Sequence, residues 1–245
     1  MKDIEILADW MLTSEHTVIF TGAGMSTESG LPDYRSSSGL WKEKDALQLA
    51  STEALNENFN EFINFYQQRI NQLREFKPHG GHQILAQWQN DGLIGAIITQ
   101  NVDGFHQAAG ANNVIELHGS LNKMRCSCCD KEYCDQPTVH TSCSGCNGKL
   151  RPCVVLYGER LPETALEKAY AEAKKSRLFI VMGSSLEVSP ANRLPLQAMA
   201  AGARLCIINR GTTSMDDEAD LIIHANIGEV LEEIDTIIKK QQSFI

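Results

Sequence analysis

No stretch of this 245-residue chain approaches the roughly 20 consecutive apolar residues that a membrane helix requires. The first ten residues, Met1-Lys-Asp-Ile-Glu-Ile-Leu-Ala-Asp-Trp10, carry acidic side chains and no apolar core, so they do not read as a signal peptide. Long repeats and low-complexity blocks are also missing. Basic residues are scarce: 22 Lys and Arg against 31 Asp and Glu leave a net charge of −9. That balance argues against broad binding to nucleic acid or to anionic membranes, and suits basic partners such as lysine-rich peptides. With no export signal the cytoplasm is the expected compartment. There, eight cysteines point to metal ligation or buried thiols rather than disulfides. The length suffices for one sizeable core, or a core with a small satellite domain. The sequence does not specify an oligomeric state, and a monomer is compatible with it.

What is present begins with a short β-rich run, Thr17-Val-Ile-Phe20, feeding Thr21-Gly-Ala-Gly-Met-Ser-Thr-Glu-Ser-Gly-Leu-Pro-Asp-Tyr-Arg-Ser36. A buried strand entering a glycine-rich turn is the usual opening of a dinucleotide-binding βαβ unit. Gly22 and Gly24 are expected to let the backbone approach a pyrophosphate, and the amides beyond them to open a helix facing it. The spacing departs from the common fingerprint, because Thr27 stands where a third glycine is usual and the next glycine is Gly30. An ordinary glycine-rich turn remains an alternative at this point.

Helical periodicity marks Ile4–Met11 and a long amphipathic run, Glu57–Phe76, with Phe59, Phe62, Ile63, Tyr66, Ile70 and Leu73 along one face. On that run Tyr66 and Arg69 stand at i and i+3, hence on one side. Pro78-His-Gly-Gly-His82 punctuates the chain, with His79 and His82 as turn and capping residues before a helix to Asn90. Gly95–Thr99 reads as a buried strand ending in Gln100-Asn-Val-Asp103, and Val114–Leu117 as another ending at His118. Polar residues at the carboxyl ends of strands are where an open α/β sheet places its ligand. Val154–Tyr157, Leu178–Met182, Leu205–Ile208 and Asp220–Ile223 read as further strands, with helices over Pro162–Lys174, Ala191–Ala201 and from Ile227 onward. Alternating strands and helices predict a doubly wound, largely parallel α/β sheet of Rossmann type.

Cys126-Ser-Cys-Cys129 and Cys143-Ser-Gly-Cys146 are separated by thirteen residues. Two Cys-x-x-Cys pairs supply four thiolates for a tetrahedral Zn²⁺, and four sulfurs leave no open position, so the metal is expected to be structural. Cys128 and Cys134 leave the ligand set ambiguous, and a redox dithiol is the competing reading.

Taken together, Gly22-Ala-Gly-x-Ser-x-x-Ser-Gly-Leu-Pro-Asp-Tyr-Arg-Ser36, Thr99-Gln-Asn-Val-Asp103, Glu116-Leu-His-Gly-Ser120, Arg151-Pro-Cys-Val-Val-Leu-Tyr-Gly-Glu159 and Gly183-Ser-Ser-Leu-Glu-Val-Ser-Pro190 resemble the motifs of the sirtuins, NAD-dependent protein deacylases. Tyr34 and Tyr157 stand where most members carry Phe. The resemblance implies that Gly22, Ala23, Gly24, Thr27, Tyr34, Arg35, Gln100, Asn101, Val102, Asp103, Ser184, Ser185, Asn209 and Ile227 bind NAD. His118 would be the catalytic base, with Gln100 and Asn101 holding the nicotinamide ribose and a water and Asp103 the nicotinamide carboxamide. Val154, Tyr157, Gly158, Glu159, Leu186 and Val188 would clasp the substrate peptide as an added strand. Ala50, Tyr66 and Arg69 are similar to the acyl pocket of the desuccinylase branch, where Tyr and Arg bind an acyl carboxylate. Residues 1–36, 79–118 and 154–245 would form the NAD-binding domain, and 37–78 with 119–153 a smaller helical and zinc-binding one. The implied reaction transfers the acyl group of a protein lysine to ADP-ribose and releases nicotinamide. The rival readings are a dehydrogenase, a protein mono-ADP-ribosyltransferase and a non-catalytic zinc module.

Overall fold

The computed structural model describes residues 2–33, 39, 44–133 and 141–243, with only the backbone of 44 and 45. Six parallel strands form its central sheet: β1 (Thr17–Thr21), β2 (Ala96–Thr99), β3 (Val114–Glu116), β7 (Leu178–Met182), β8 (Arg204–Ile208) and β9 (Leu221–Ile223). Their spatial order is β3-β2-β1-β7-β8-β9, so the winding reverses between β1 and β7. The fold is an α/β doubly wound sheet of Rossmann type.

Alternation along the strands sends side chains to two faces. On one face Ile19, Ile97, Ile180 and Ile208 meet Leu7 and Met11 of α1 (Lys2–Thr13), Leu85 and Trp88 of α5 (Gly80–Asn90), and Leu231 and Ile234 of α9 (Ile227–Gln242). On the other, Val18, Phe20, Phe179, Val181 and Ile207 meet Ala169 and Ala173 of α7 (Glu163–Lys175) and Leu194 and Ala198 of α8 (Arg193–Ala200).

The two insertions share a third core. α2 (Lys44–Leu49), α3 (Thr52–Glu57) and α4 (Phe59–Leu73) occupy the first insertion. A three-stranded antiparallel sheet, β5-β4-β6, comes from β4 (Gly119–Cys126), β5 (Glu132–Tyr133) and β6 (Leu150–Val154). Phe62, Tyr66 and Ile70 of α4 pack on Leu121, Met124, Leu150 and Val154 of that sheet. Each such side chain, fully buried, contributes about 1.5–3 kcal/mol.

Three local expectations change. The helix expected over Glu57–Phe76 runs as α4 with the whole expected apolar face but starts later, because the Asn58 amide closes α3 on the Ala54 carbonyl while its own carbonyl receives the Phe62 amide of α4. The glycine loop opens a 3₁₀ segment, Ala23–Ser29, rather than an α-helix. The strand expected over Val154–Tyr157 lies earlier, at Leu150–Val154, and only Tyr157 makes a further isolated bridge, to Ser51. α6 (Phe105–Ala108) is a single turn after β2.

Candidate active site

The loops that leave β1 and β7 at the reversal point are packed backbone to backbone. The Gly22 amide donates to the Met182 carbonyl at 3.0 Å, and the Gly24 amide to the Gly183 carbonyl at 2.8 Å. A Cβ on Gly22 would stand 2.7 Å from the Gly183 oxygen, and one on Gly24 2.6 Å from the Gly183 Cα. Gly183 itself has φ +64°, and a side chain there would overlap the Met25 nitrogen. The glycines therefore serve first to let two loops interlock. The sequence suggested open approach to a ligand, because its pattern could not reveal the second loop.

Below this knot opens a cavity of about 1220 Å³ lined by residues from both loops and from the strand ends beside them. Ala23, Gly24, Gln100, Asn101, Val102, Ser184, Ser185 and Asn209 line it. Gly22, Thr27, Asp103, Leu186 and Ile227 do not, while Tyr34 and Arg35 lie outside the described residues. Thr27 Oγ1 donates to the Gly24 carbonyl at 2.9 Å and so tightens the loop. Ile227 is buried in the first core, and the Gly228 amide at the start of α9 donates to Glu28 Oε1 at 2.9 Å. Leu186 is buried with φ +59°, an unusual conformation for a non-glycine residue.

Gln100 connects the two sides. Its side-chain oxygen accepts from Ser184 Oγ at 2.7 Å, and its carbonyl lies 3.0 Å from His118 Nδ1. A carbonyl can only accept, so Nδ1 carries the proton and Nε2 keeps its lone pair. His118 also lines the cavity. Burial pushes its pKa below the usual histidine value, against the opposing pull of the Gln100 carbonyl, so the ring is neutral near pH 7.

A buried polar chain stands behind Asn101. Its Nδ2 donates to Ser26 Oγ at 3.2 Å, and Ser26 donates to Asp103 Oδ2 at 2.7 Å. The Phe105 amide reaches Asp103 Oδ1 at 2.9 Å. Burial raises the Asp103 pKa, and these hydrogen bonds oppose the rise. Deeper still, His82 and His106 lie 5.0 Å apart, ring to ring. Burial, with neighbouring histidines, drives their pKa values to about 2 and about 4, so both are neutral. His79 caps α5 by accepting the Gly81 amide at 3.0 Å. Sequence reasoning did not single out Ser26 or the histidine packing, because both depend on contacts between segments far apart in the chain.

The cavity continues toward the second insertion, where Ala50, Tyr66, Arg69, Val154, Tyr157, Gly158, Glu159 and Val188 line it. Tyr66 packs against Phe62 and edge-on to Phe65, and the Arg69 guanidinium sits 5.8 Å from the Tyr66 ring centre. Tyr157 closes this wall: its amide donates to the Ala50 carbonyl at 2.9 Å and its carbonyl receives the Thr52 amide at 3.0 Å.

Farther out, the sulfurs of Cys126, Cys129, Cys143 and Cys146 all lie within 4.8 Å of one another. Two of the gaps are 3.4 Å (Cys126 to Cys146) and 3.7 Å (Cys129 to Cys143). Tetrahedral Zn–S bonds of about 2.3 Å imply S···S distances near 3.8 Å, so the set fits zinc. Gly148 leaves the space it needs, since a Cβ there would stand 2.8 Å from Cys126 Sγ. Tyr133 OH, with the Gly145 and Cys146 amides, brings the Cys143 pKa down to about 6, favouring the thiolate a metal binds. Cys128 is exposed and outside the cluster; Cys134 lies outside the described residues.

Comparison with known proteins decides the lineage: residues 22–190 match the model of the Sir2 family. The chain belongs to that family. An NAD-dependent protein deacetylase of Oceanobacillus iheyensis is 51% identical over 233 residues, 94% of this chain and 98% of that protein. An NAD-dependent protein deacylase of Aeropyrum pernix is 38% identical over 227 residues, 91% and 93%. A Sir2 homolog solved as an NAD complex superposes with a TM-score of 0.90 at 34% identity, covering 97% of this chain and 94% of that one. A Sir2 protein solved with a deacetylated peptide and 3′-O-acetyl ADP ribose gives 0.88 at 36% identity, covering 96% and 98%. Membership in the Sir2 family accounts for a Rossmann-type sheet and a four-cysteine module in one chain. No helix among the described residues is long and apolar enough to cross a membrane.

Proposed function

We propose that this chain is an NAD-dependent protein-lysine deacylase that removes acetyl groups and, through Tyr66 and Arg69, also succinyl or malonyl groups. The observation that carries the reading is the fixed tautomer of His118: Nδ1 is committed to the Gln100 carbonyl and Nε2 is left as a base on a dinucleotide-sized cavity. NAD, when bound, supplies a ribose carbon that accepts the acyl oxygen as nicotinamide leaves. His118 Nε2 takes the proton of a ribose hydroxyl, a task suited to a neutral imidazole near pH 7. Ala23, Gly24, Ser184, Ser185 and Asn209, with Tyr34 and Arg35, hold the dinucleotide. Asn101, fixed through Ser26 and Asp103, orients the nicotinamide ribose and a water. The four cysteines hold one structural zinc. We assign residues 1–36, 79–118 and 154–245 to NAD, and 37–78 with 119–153 to the smaller domain, the acylated lysine entering between them beside Val154–Glu159 and Val188. Enclosure keeps water from the reacting carbon until the acyl oxygen reaches it.

Nicotinamide release from NAD should match acyl loss from an acetyl-lysine peptide one for one. Mass gain on the target would instead identify an ADP-ribosyltransferase. The acidic-acyl reading rests on an arginine fork and a phenol that line the cavity together with the small Ala50, an arrangement suited to a carboxylate. Arg69→Met is expected to lower kcat/KM on succinyl-lysine by about 10- to 100-fold, the worth of a charge-assisted hydrogen bond, and to leave acetyl-lysine turnover nearly unchanged. An equal loss on both substrates would remove it.

A further inference from the structure

Arg151 is 2% exposed and does not line the cavity, yet its hydrogen bonds reach into the wall that does. Nη1 donates to Glu159 Oε1 at 2.6 Å, and Nη2 to Glu159 Oε2 at 2.8 Å, a bidentate fork. Nη2 also donates to the Val154 carbonyl at 2.6 Å. Arginine is almost never this buried without a partner, and removing one member of such a pair leaves an uncompensated charge. Glu159 is equally committed. Oε1 accepts from Arg125 Nη2 at 3.3 Å as well, and Oε2 from the Leu156 amide at 2.9 Å. A carboxylate offers about four lone-pair sites, and these four bonds use them. None remains for a substrate.

The bonds have a geometric result. The Glu159 amide returns to the Leu156 carbonyl at 2.9 Å, and Gly158 at φ +95° lets the chain turn. The stretch from Val154 to Glu159 is thereby folded onto a buried cation, with Tyr157 held out to Ala50 and Thr52. That cation stands on β6, where Arg151 faces Arg125 of β4 and Leu150 faces Cys126. The link runs from the cysteine cluster through one strand pair to the peptide-facing edge.

We propose that Arg151 and Glu159 are positioning residues: their fork sets the edge of Val154–Tyr157 in the geometry that an acylated peptide needs to pair with it, so that the zinc module governs peptide affinity through this pair and leaves the dinucleotide site alone. This rests on the reading of that edge as the peptide-binding strand, where main-chain pairing supplies affinity. Arg151→Lys keeps the charge but cannot form the fork. Glu159→Gln keeps the shape but turns a donor toward the arginine.

Steady-state kinetics with an acetyl-lysine peptide, NAD affinity by calorimetry and zinc content are measured on both variants and on Glu159→Asp as full-length zinc proteins. The peptide KM should rise about 10- to 100-fold in Arg151→Lys and Glu159→Gln and less in Glu159→Asp. NAD affinity, kcat at saturating peptide and one zinc per chain should be retained. An unchanged peptide KM in a folded variant overturns the proposal, as does a parallel fall in peptide and NAD affinity. Zinc loss or misfolding in all three variants overturns it too, since the pair would then serve only to fold the module. Failure of the parent protein to turn over any acyl-lysine peptide would instead strike the reading of the cleft.

Discussion

His118→Ala is expected to lower kcat for acetyl-lysine peptide by about 10²- to 10⁴-fold, the usual worth of a positioned general base, with NAD affinity retained. The imidazole sits in the two-residue link between β3 and β4, and its backbone carbonyl receives the Val155 amide at 2.9 Å. Removing the ring therefore spares the main-chain bonds that hold the link, and the loss should fall on chemistry rather than on folding. The pH profile gives a second readout. The base works only when neutral, so kcat/KM should climb with pH through the His118 pKa and level off above it. Burial holds that pKa below the ordinary value of 6.5, which puts the climb on the acid side of pH 6.5. A profile rising only above neutrality, or a His118→Ala protein of undiminished kcat, would exclude this role.

Loss of zinc should have an effect at least as large. Zinc in small thiolate modules carries an apparent folding energy of about 10–16 kcal/mol, comparable to the whole stability of a typical domain, about 5–15 kcal/mol. Cys143→Ser removes a ligand whose sulfur is 3% exposed with its residue and is gripped by Tyr133 OH at 3.1 Å. β4, which ends at Cys126, and β6, which begins opposite it at Leu150, should then separate. Because β4 begins at Gly119, immediately after His118, turnover should fall to background while α1, α5 and α9 keep most of the helical signal. Metal analysis, far-UV circular dichroism and peptide turnover on the same sample check this. A metal-free protein with normal turnover would contradict it.

How far the sequence carried the reading varies with the reach of the forces involved. The strands of the central sheet were legible because β1 and β7 are buried on both faces and appear as unbroken apolar runs. The cysteine pairs and the strand-end positions of Gln100 and His118 were legible because local spacing encodes them. The start of α4 was hidden: Glu57 belongs to α3, and the turn at Asn58 that separates the two helices is set by local hydrogen bonds rather than by apolar spacing. The purpose of Gly22 and Gly24 was hidden for a different reason. It depends on Gly183, which meets them only once the parallel sheet has formed. The commitment of the Glu159 carboxylate to Arg151, Arg125 and the Leu156 amide was hidden likewise, since all four bonds depend on the folded chain. Tyr34 and Arg35 lie outside the described residues.

Tyr157 and the Ala50–Thr52 stretch, joined by two main-chain bonds, tie one wall of the cavity to the first insertion. A wall tied in that way resists spreading. Moving it outward to admit a bulkier ligand would break backbone bonds worth about 0.5–1.5 kcal/mol each, whereas shortening an inward side chain would leave those bonds intact. If Ala50, Tyr66 and Arg69 read the acyl group as proposed, exchanging those side chains should alter acyl preference while the backbone bonds beside them stay in place.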